Sequence, residues 1–377
     1  MPRQVFRAGP AAAAVAILIS CSAGEPPAGR DAAALRDEYH RIQQQALVEL
    51  RAWGAGNDRN VDPRPRWAEK LEAFATAHPE APEAAEALEG VLQLREGSRD
   101  IDGFFKAYKT LLEIAPDSNG LPSVFEQVKA MRVLEAGGPT IMSAPDDEAR
   151  RRAYRTAAPH IAADLERAVA AAKRPATLAA AHLAIGETWF LFDLDLGKAL
   201  KHFKVVATQF ADASTAAQAR EYVAEIETLG PGRPAPDFEA VTVDGKKIRL
   251  SSLKGSIVLI DFWATWCMPC LVELPNLRRA YERFHGRGFV ILGVSIESDS
   301  AEVSRFAARK GMTWPILVDG AEGNMATGPV ARAYNVQSIP MSYLVDRDGT
   351  IRARRLLGDG VERAVADLLV RRVAALR

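Results

Sequence analysis

An all-α domain followed by an α/β domain, in which a mixed central sheet is flanked by helices, is the fold class this chain predicts. Three observations carry it. From about Asp31 to Leu229 alanine is frequent, β-branched runs are scarce and apolar residues recur at helical spacing, as in Leu183, Gly186, Phe190 and again Leu200, Phe203, Val206, Phe210. Gly230-Pro231-Gly232-Arg233-Pro234-Ala235-Pro236 follows, a composition that suits a linker. After it, short apolar runs of strand type alternate with helical ones, and two thiols, Cys267 and Cys270, stand where a buried strand gives way to a helix. With 377 residues and 48% hydrophobic content the chain can bury the cores of two or three domains. Lys+Arg and Asp+Glu are both 48, so no global field points to nucleic acid or to an anionic membrane surface. Partners must be sought at a local site.

Residues 1–20 read as an export signal outside the fold. Arg3 and Arg7 make a basic start, and Ala11 to Ile19 is an apolar stretch too short to span a bilayer permanently. Leu18-Ile19-Ser20-Cys21 resembles the lipobox of bacterial lipoproteins, which would make Cys21 the lipid-modified first residue. Ordinary signal-peptidase cleavage near Ala23 is the alternative. Of the three cysteines, a lipidated Cys21 leaves Cys267 and Cys270 as one closed pair. That pair spans a loop too short to constrain the unfolded chain, so it is there for chemistry. Residues 21–30, rich in Gly, Pro and small side chains, read as a tether.

The helical domain is expected over 31–229, with breaks at Gly54 to Pro65, His78 to Pro82, Ala115 to Gly120, Gly137 to Pro145, Arg174-Pro175 and Asp193 to Asp195. Ile185-Gly186-x-x-Trp189 followed by Ala199-x-x-x-Phe203 resembles the packing positions of a degenerate tetratricopeptide repeat, and Tyr108, Leu111 and Pro116 echo it. An irregular bundle explains the same pattern. His40, His78, His160, His182 and His202 show no metal-ligand spacing and read as surface or packing residues.

Residues 230–236 form the linker and 237–377 the second domain. Its strands are expected at Glu239 to Val243 and Lys247 to Leu250, joined by Asp244-Gly245, a strong hairpin signal. The apolar strand Ile257 to Phe262 leads through the thiols into a helix from Pro269 to Phe284, then a strand at Phe289 to Ile296. A helix at Ala301 to Lys310, a strand at Pro315 to Val318 and a short helix near Val330 to Tyr334 come next. Strands Ser342 to Val345 and Ile351 to Leu357, turning around Asp348-Gly349, precede a final helix from Val361 to Leu376. Alternation followed by a terminal hairpin implies a mixed sheet covered on both faces.

Two residues between the thiols keep both sulfurs near the first helical turn, where free N–H groups and the helix dipole favour a thiolate. Such a pair suits thiol-disulfide exchange. Asp261 to Cys270 resembles the active-site segment of the thioredoxin superfamily. Pro234-x-Pro236-Asp237-Phe238, Glu273-Leu274-Pro275 and Ser338-Ile339-Pro340 resemble its exported TlpA/ResA-like branch, over about residues 231 to 377. The resemblance implies that Cys267 attacks, that Cys270 resolves, and that Pro340 is a cis-proline facing the pair. With Trp266 and Ile339, Pro340 would bind substrate. An X-Pro bond is also the one kind that is cheaply cis. Met341 departs from the threonine common after this proline, a difference that bears on substrate preference. Asp261 and Glu273 match acids near the thiols, either of which could take the proton of Cys270. The plainer readings are a hydrogen-bonded structural acid for Asp261 and a solvated helix residue or dipole partner for Glu273.

Other chemistry fits less well. Leu271 stands where a c-type haem site needs His, and zinc would have only His285 as a third ligand. Peroxiredoxins resemble this fold, but they place Pro and Thr or Ser at fixed distances before one cysteine, whereas here Thr265 is two residues before Cys267 and no proline occupies the segment leading to it. The expected activity is reduction of disulfides in envelope proteins without a cofactor, on the outer side of the cytoplasmic membrane, with electrons from a membrane thiol-disulfide reductase. Met268-Pro269 lacks the basic or histidine residue of strongly oxidising members. A tethered scaffold in which the helices bind partners is the rival from another class. Ser22 after the lipid-bearing cysteine, rather than Asp, would direct the protein to an outer membrane if the host has one.

Overall fold

The computed structural model describes residues 30–55, 61–137, 147–191, 194–211, 214–320 and 328–375. The signal segment, Cys21 and the tether up to residue 29 lie outside the described residues. Among those described, no helix is long and apolar enough to cross a membrane.

The first part is helical: α1 (Arg30–Gly54), α2 (Arg64–Ala77), α3 (Glu83–Ser98), α4 (Ile101–Ile114), α5 (Leu121–Glu135), α6 (Asp147–Ala171), α7 (Pro175–Phe190), α8 (Leu196–Gln209) and α9 (Ala216–Leu229). The Gly and Pro signals locate most of its breaks. Two others carry no such mark. Between α3 and α4 the left-handed turn is made by Arg99 (φ 58°), and Asp100 caps α4 by accepting from Gly103 N at 3.0 Å. The α8–α9 break falls in a run without Gly or Pro. Gly186 of α7 faces the Phe203 ring of α8, where an added Cβ would lie 2.5 Å from the ring. Only glycine permits that approach.

A compact unit that holds the sheet takes in Phe190 and the chain from Arg220 onward. Most of α9 thus belongs with it, although helical periodicity groups α9 with the preceding helices. Contacts with the sheet tie it there: Leu229 joins the core, and Glu225 of α9 binds Arg354, which is 3% exposed, and accepts from Asn335 Nδ2 at 2.9 Å. Arg354 also lies over the Phe190 ring, 5.1 Å from its centroid. Residues 230–236 are hydrogen-bonded to the sheet edge, Gly232 N donating to Ile351 O at 2.7 Å and Ile351 N to Arg233 O at 2.8 Å.

The sheet unit contains β1 (Glu239–Val241), β2 (Lys247–Arg249), β3 (Ile257–Trp263), α10 (Met268–Phe284), β4 (Phe289–Ser295), α11 (Ser300–Arg309), β5 (Ile316–Val318), α12 (Pro329–Ala333), β6 (Met341–Val345), β7 (Ile351–Arg354) and α13 (Gly360–Ala375). β1 and β2 pair as a hairpin, and the main sheet has the order β5-β4-β3-β6-β7. β3, β4 and β5 are parallel, and β6 and β7 antiparallel, which gives the thioredoxin-like mixed sheet. Every residue of β3 is buried. Ile257, Leu259 and Trp263 pack under α10, α11 and α13, while Val258, Ile260 and Phe262 pack against α9 and α12 on the other face. Burying each of these side chains contributes about 1.5–3 kcal/mol, so the central strand is a rigid platform for the loop and helix at its end.

Candidate active site

β3 ends at Trp263, and the chain turns through Ala264, Thr265 and Trp266 into α10. Cys267 is the N-cap of α10, with φ −82° and ψ 93°, and its Sγ accepts from Cys270 N at 3.2 Å. Pro269 in the first turn has no N–H to leave unpaired. The two sulfurs form a disulfide with Cα atoms 5.3 Å apart. Cys267 is 4% and Cys270 5% exposed, so in this oxidised form exposure does not distinguish them. Position does: Cys267 caps the helix, and Cys270 lies within it.

Exposed apolar side chains stand close to the pair along the chain. Trp266 is 53% exposed, Met268 67% and Val272 55%. Met268 bears on redox character in the sequence and Val272 carries no mark there, but their spacing of four puts both on one helix face. Ile339 and Pro340 are half-buried, and the peptide bond between them is cis. Because Phe262 pairs with Met341, Pro340 comes at the Trp263 end of β3, the end that leads to the thiols. Ile339 packs against the cores on both faces of the sheet.

Strand alternation puts Asp261 on the face of Leu259 and Trp263, the face under α10. Its neighbours across the sheet are Gly293 and Ser342. Burial, and then the negative charge of Glu273, push its carboxyl up to about 7. No described residue hydrogen-bonds to that carboxyl. Glu273 is buried rather than solvated, and its Oε2 accepts from Gly358 N at 2.7 Å and Asn276 Nδ2 at 3.0 Å. Neither Gly358 nor Asn276 was singled out from sequence, although Asn276 lies one helical turn beyond Glu273. Thr265 is bound by Glu297, a further residue the sequence reading missed.

The arrangement combines a sulfur at a helix N-terminus, exposed apolar side chains beside it in the chain, and a buried acid whose carboxyl is pushed up to about 7. It suits thiol-disulfide exchange. Residues 231–354 match the AhpC/TSA family. Thiol-disulfide oxidoreductase ResA of Bacillus thuringiensis (strain Al Hakam) is 30% identical over 138 residues, which are 37% of this chain and 76% of that protein. ResA of Geobacillus kaustophilus is 34% identical over 131 residues, 35% of this chain and 72% of that protein. Among solved structures, the thioredoxin domain of a thiol-disulfide oxidoreductase from Bacteroides vulgatus is 28% identical, covering 38% of this chain and 99% of that one with a TM-score of 0.35.

Proposed function

Since the chain belongs to the ResA family of thiol-disulfide oxidoreductases, we propose that it reduces disulfides of exported proteins, anchored through a lipid on Cys21 and recharged by a membrane thiol-disulfide reductase. In the reduced enzyme the Cys267 thiolate bonds to one substrate sulfur, and the other sulfur leaves with the electron pair of the broken bond. Cys270 then gives its proton to Asp261 and bonds to Cys267, which releases the second substrate sulfur. Two electrons pass to the substrate, its two thiolates take up the Cys270 proton by way of Asp261 and one proton from water, and the pair is left as the observed disulfide. Asp261 suits the proton transfer better than Glu273, because it is poised near neutrality while Glu273 Oε2 is engaged by Gly358 and Asn276. Trp266, Ile339 and Pro340 would hold the substrate chain beside Cys267.

The observation that carries this reading is Cys267 as the N-cap of α10, disulfide-bonded to Cys270, with the exposed apolar Trp266 and Met268 on either side of it in the chain. A Cys270→Ser variant in the native host should accumulate mixed disulfides through Cys267, and Cys267→Ala should abolish both trapping and insulin reduction under dithiothreitol. An enzyme that neither traps partners nor turns over insulin would end the proposal. The AhpC/TSA match also raises a thiol peroxidase reading. Thr265 is taken up by Glu297, which argues against a role in binding peroxide, and hydrogen peroxide consumption by the reduced protein measures it directly.

A further inference from the structure

Glu297 lies just beyond β4, and both of its carboxylate oxygens bind one residue of the loop before the thiols. Thr265 N donates to Oε2 at 2.7 Å, and Thr265 Oγ1 donates to Oε1 at 2.7 Å. The acid is itself held in place. Ser295 Oγ donates to Oε2 at 3.2 Å, and Gly320 N donates to the Glu297 carbonyl at 3.0 Å. Beside this clamp, Ile296 N donates to Trp263 O at 3.1 Å, so the end of β3 and the loop after it are joined to the segment after β4 at two points. Hydrogen bonds to a carboxylate are short and about twice as strong as neutral ones. The clamped residue is two positions from Cys267, whose own N–H donates to Ala264 O at 3.2 Å. Trp266 lies between them and is 53% exposed, so the loop fixes its place more than packing around its ring does.

We propose that Glu297 is a positioning residue for disulfide exchange, holding the Thr265 amide and hydroxyl together so that the loop presents Trp266 beside Cys267 as part of the seat for a protein substrate. This role rests on the reading of the enzyme as a reductase of protein disulfides. A large substrate must seat its chain beside Trp266 while its sulfur lines up with Cys267, and misplacement by a fraction of an ångström lowers the rate. A small disulfide needs no seat. The clamp should therefore matter for proteins and not for small disulfides.

The test uses the full chain, reduced, with insulin as the protein disulfide and bis(2-hydroxyethyl) disulfide as the small one. Glu297→Ala should lower kcat/KM for insulin about tenfold, mainly through KM, and leave the small disulfide within about twofold of wild type. Thr265→Ser, which keeps both donors, should restore wild-type kinetics, whereas Thr265→Ala should show part of the loss. The double variant Glu297→Ala/Thr265→Ala should be no worse than Glu297→Ala, because both changes remove the same contact. Wild-type kinetics in Glu297→Ala overturn the proposal, and so does a loss shared equally by the two disulfides. Should Glu297→Ala not fold, Thr265→Ala decides by the same comparison. A wild-type enzyme inactive on insulin would instead sink the protein-disulfide reading, and the clamp's role with it.

Discussion

Burial of Asp261 makes the stability of the fold depend on pH. Its folded value, pushed from 3.8 up to about 7, lies above that of the unfolded chain, so the folded state holds the proton more tightly between those values. Stability is then lost as pH rises through that window. Asp261→Asn should raise Tm above about pH 7, with the gain disappearing as pH falls toward 4, which melting curves across that range would show. The same change should remove a rise in turnover centred near pH 7 and slow the resolving step about 10²-fold, read by stopped-flow decay of the mixed disulfide. A second prediction at this scale concerns the thiols. In the reduced protein Cys267, as N-cap, should react with iodoacetamide faster than Cys270 and titrate below the free-thiol value of about 8.5. Equal alkylation rates at the two sites would contradict the assigned roles.

At the level of elements, two pairings between secondary structures set further expectations. His182 of α7 and His202 of α8 place their Nδ1 atoms 3.0 Å apart, a contact that sequence spacing does not announce. Burial, then the charge of His182, then Lys201 lower His202 from 6.5 to about 4, and His182 is lowered as well. A base with a depressed folded value favours the fold when neutral. The stability it supports is present above 6.5 and is lost as pH falls toward 4. His202→Gln should therefore flatten the fall of Tm over that range relative to wild type, and an unchanged slope would show that carboxylates alone set it. The Glu225–Arg354 pair joins α9 to β7. Removing one partner leaves a buried charge, so Glu225→Ala should cost about 3–5 kcal/mol in urea denaturation, while an apolar replacement of both should cost far less.

For the whole molecule, these contacts decide where the enzyme can be cut. Composition places the boundary at the Gly-Pro stretch 230–236, whereas α9 contributes Leu229 and Glu225 to the sheet unit. A fragment from Ala216 to Arg377 should fold alone and reduce insulin. One that begins at Arg233 keeps every strand but strips Arg354 of Glu225, and it should be less stable by about 3 kcal/mol or more, measured by urea denaturation of the two fragments. If the shorter fragment proves as stable as the longer, α9 belongs functionally with the preceding helices. Preference for a natural substrate, compared between fragment and full chain, reads what the remaining helices contribute.

The strand-to-helix junction with its thiols was legible in the sequence because its information is local: an apolar run, a spacing of two, a proline in the first turn. So was the strand that begins after Pro340, and the order of the α/β elements came from period and turn chemistry. What a side chain meets across the fold was not legible. Thr265 and Glu297 are 32 residues apart, Glu273 and Gly358 are 85 apart, and Glu225 and Arg354 are 129 apart. No period or motif marks such partners, because each is a common polar residue whose neighbours depend on sheet register and helix packing. By itself the sequence singled out the two thiols that form the disulfide, through patterns confined to a few turns of chain. Only the tertiary structure decided which acid burial pushes up toward neutrality, which acid binds the loop and which side chains tie α9 to the sheet, because burial and charge at those atoms come from segments far away along the chain.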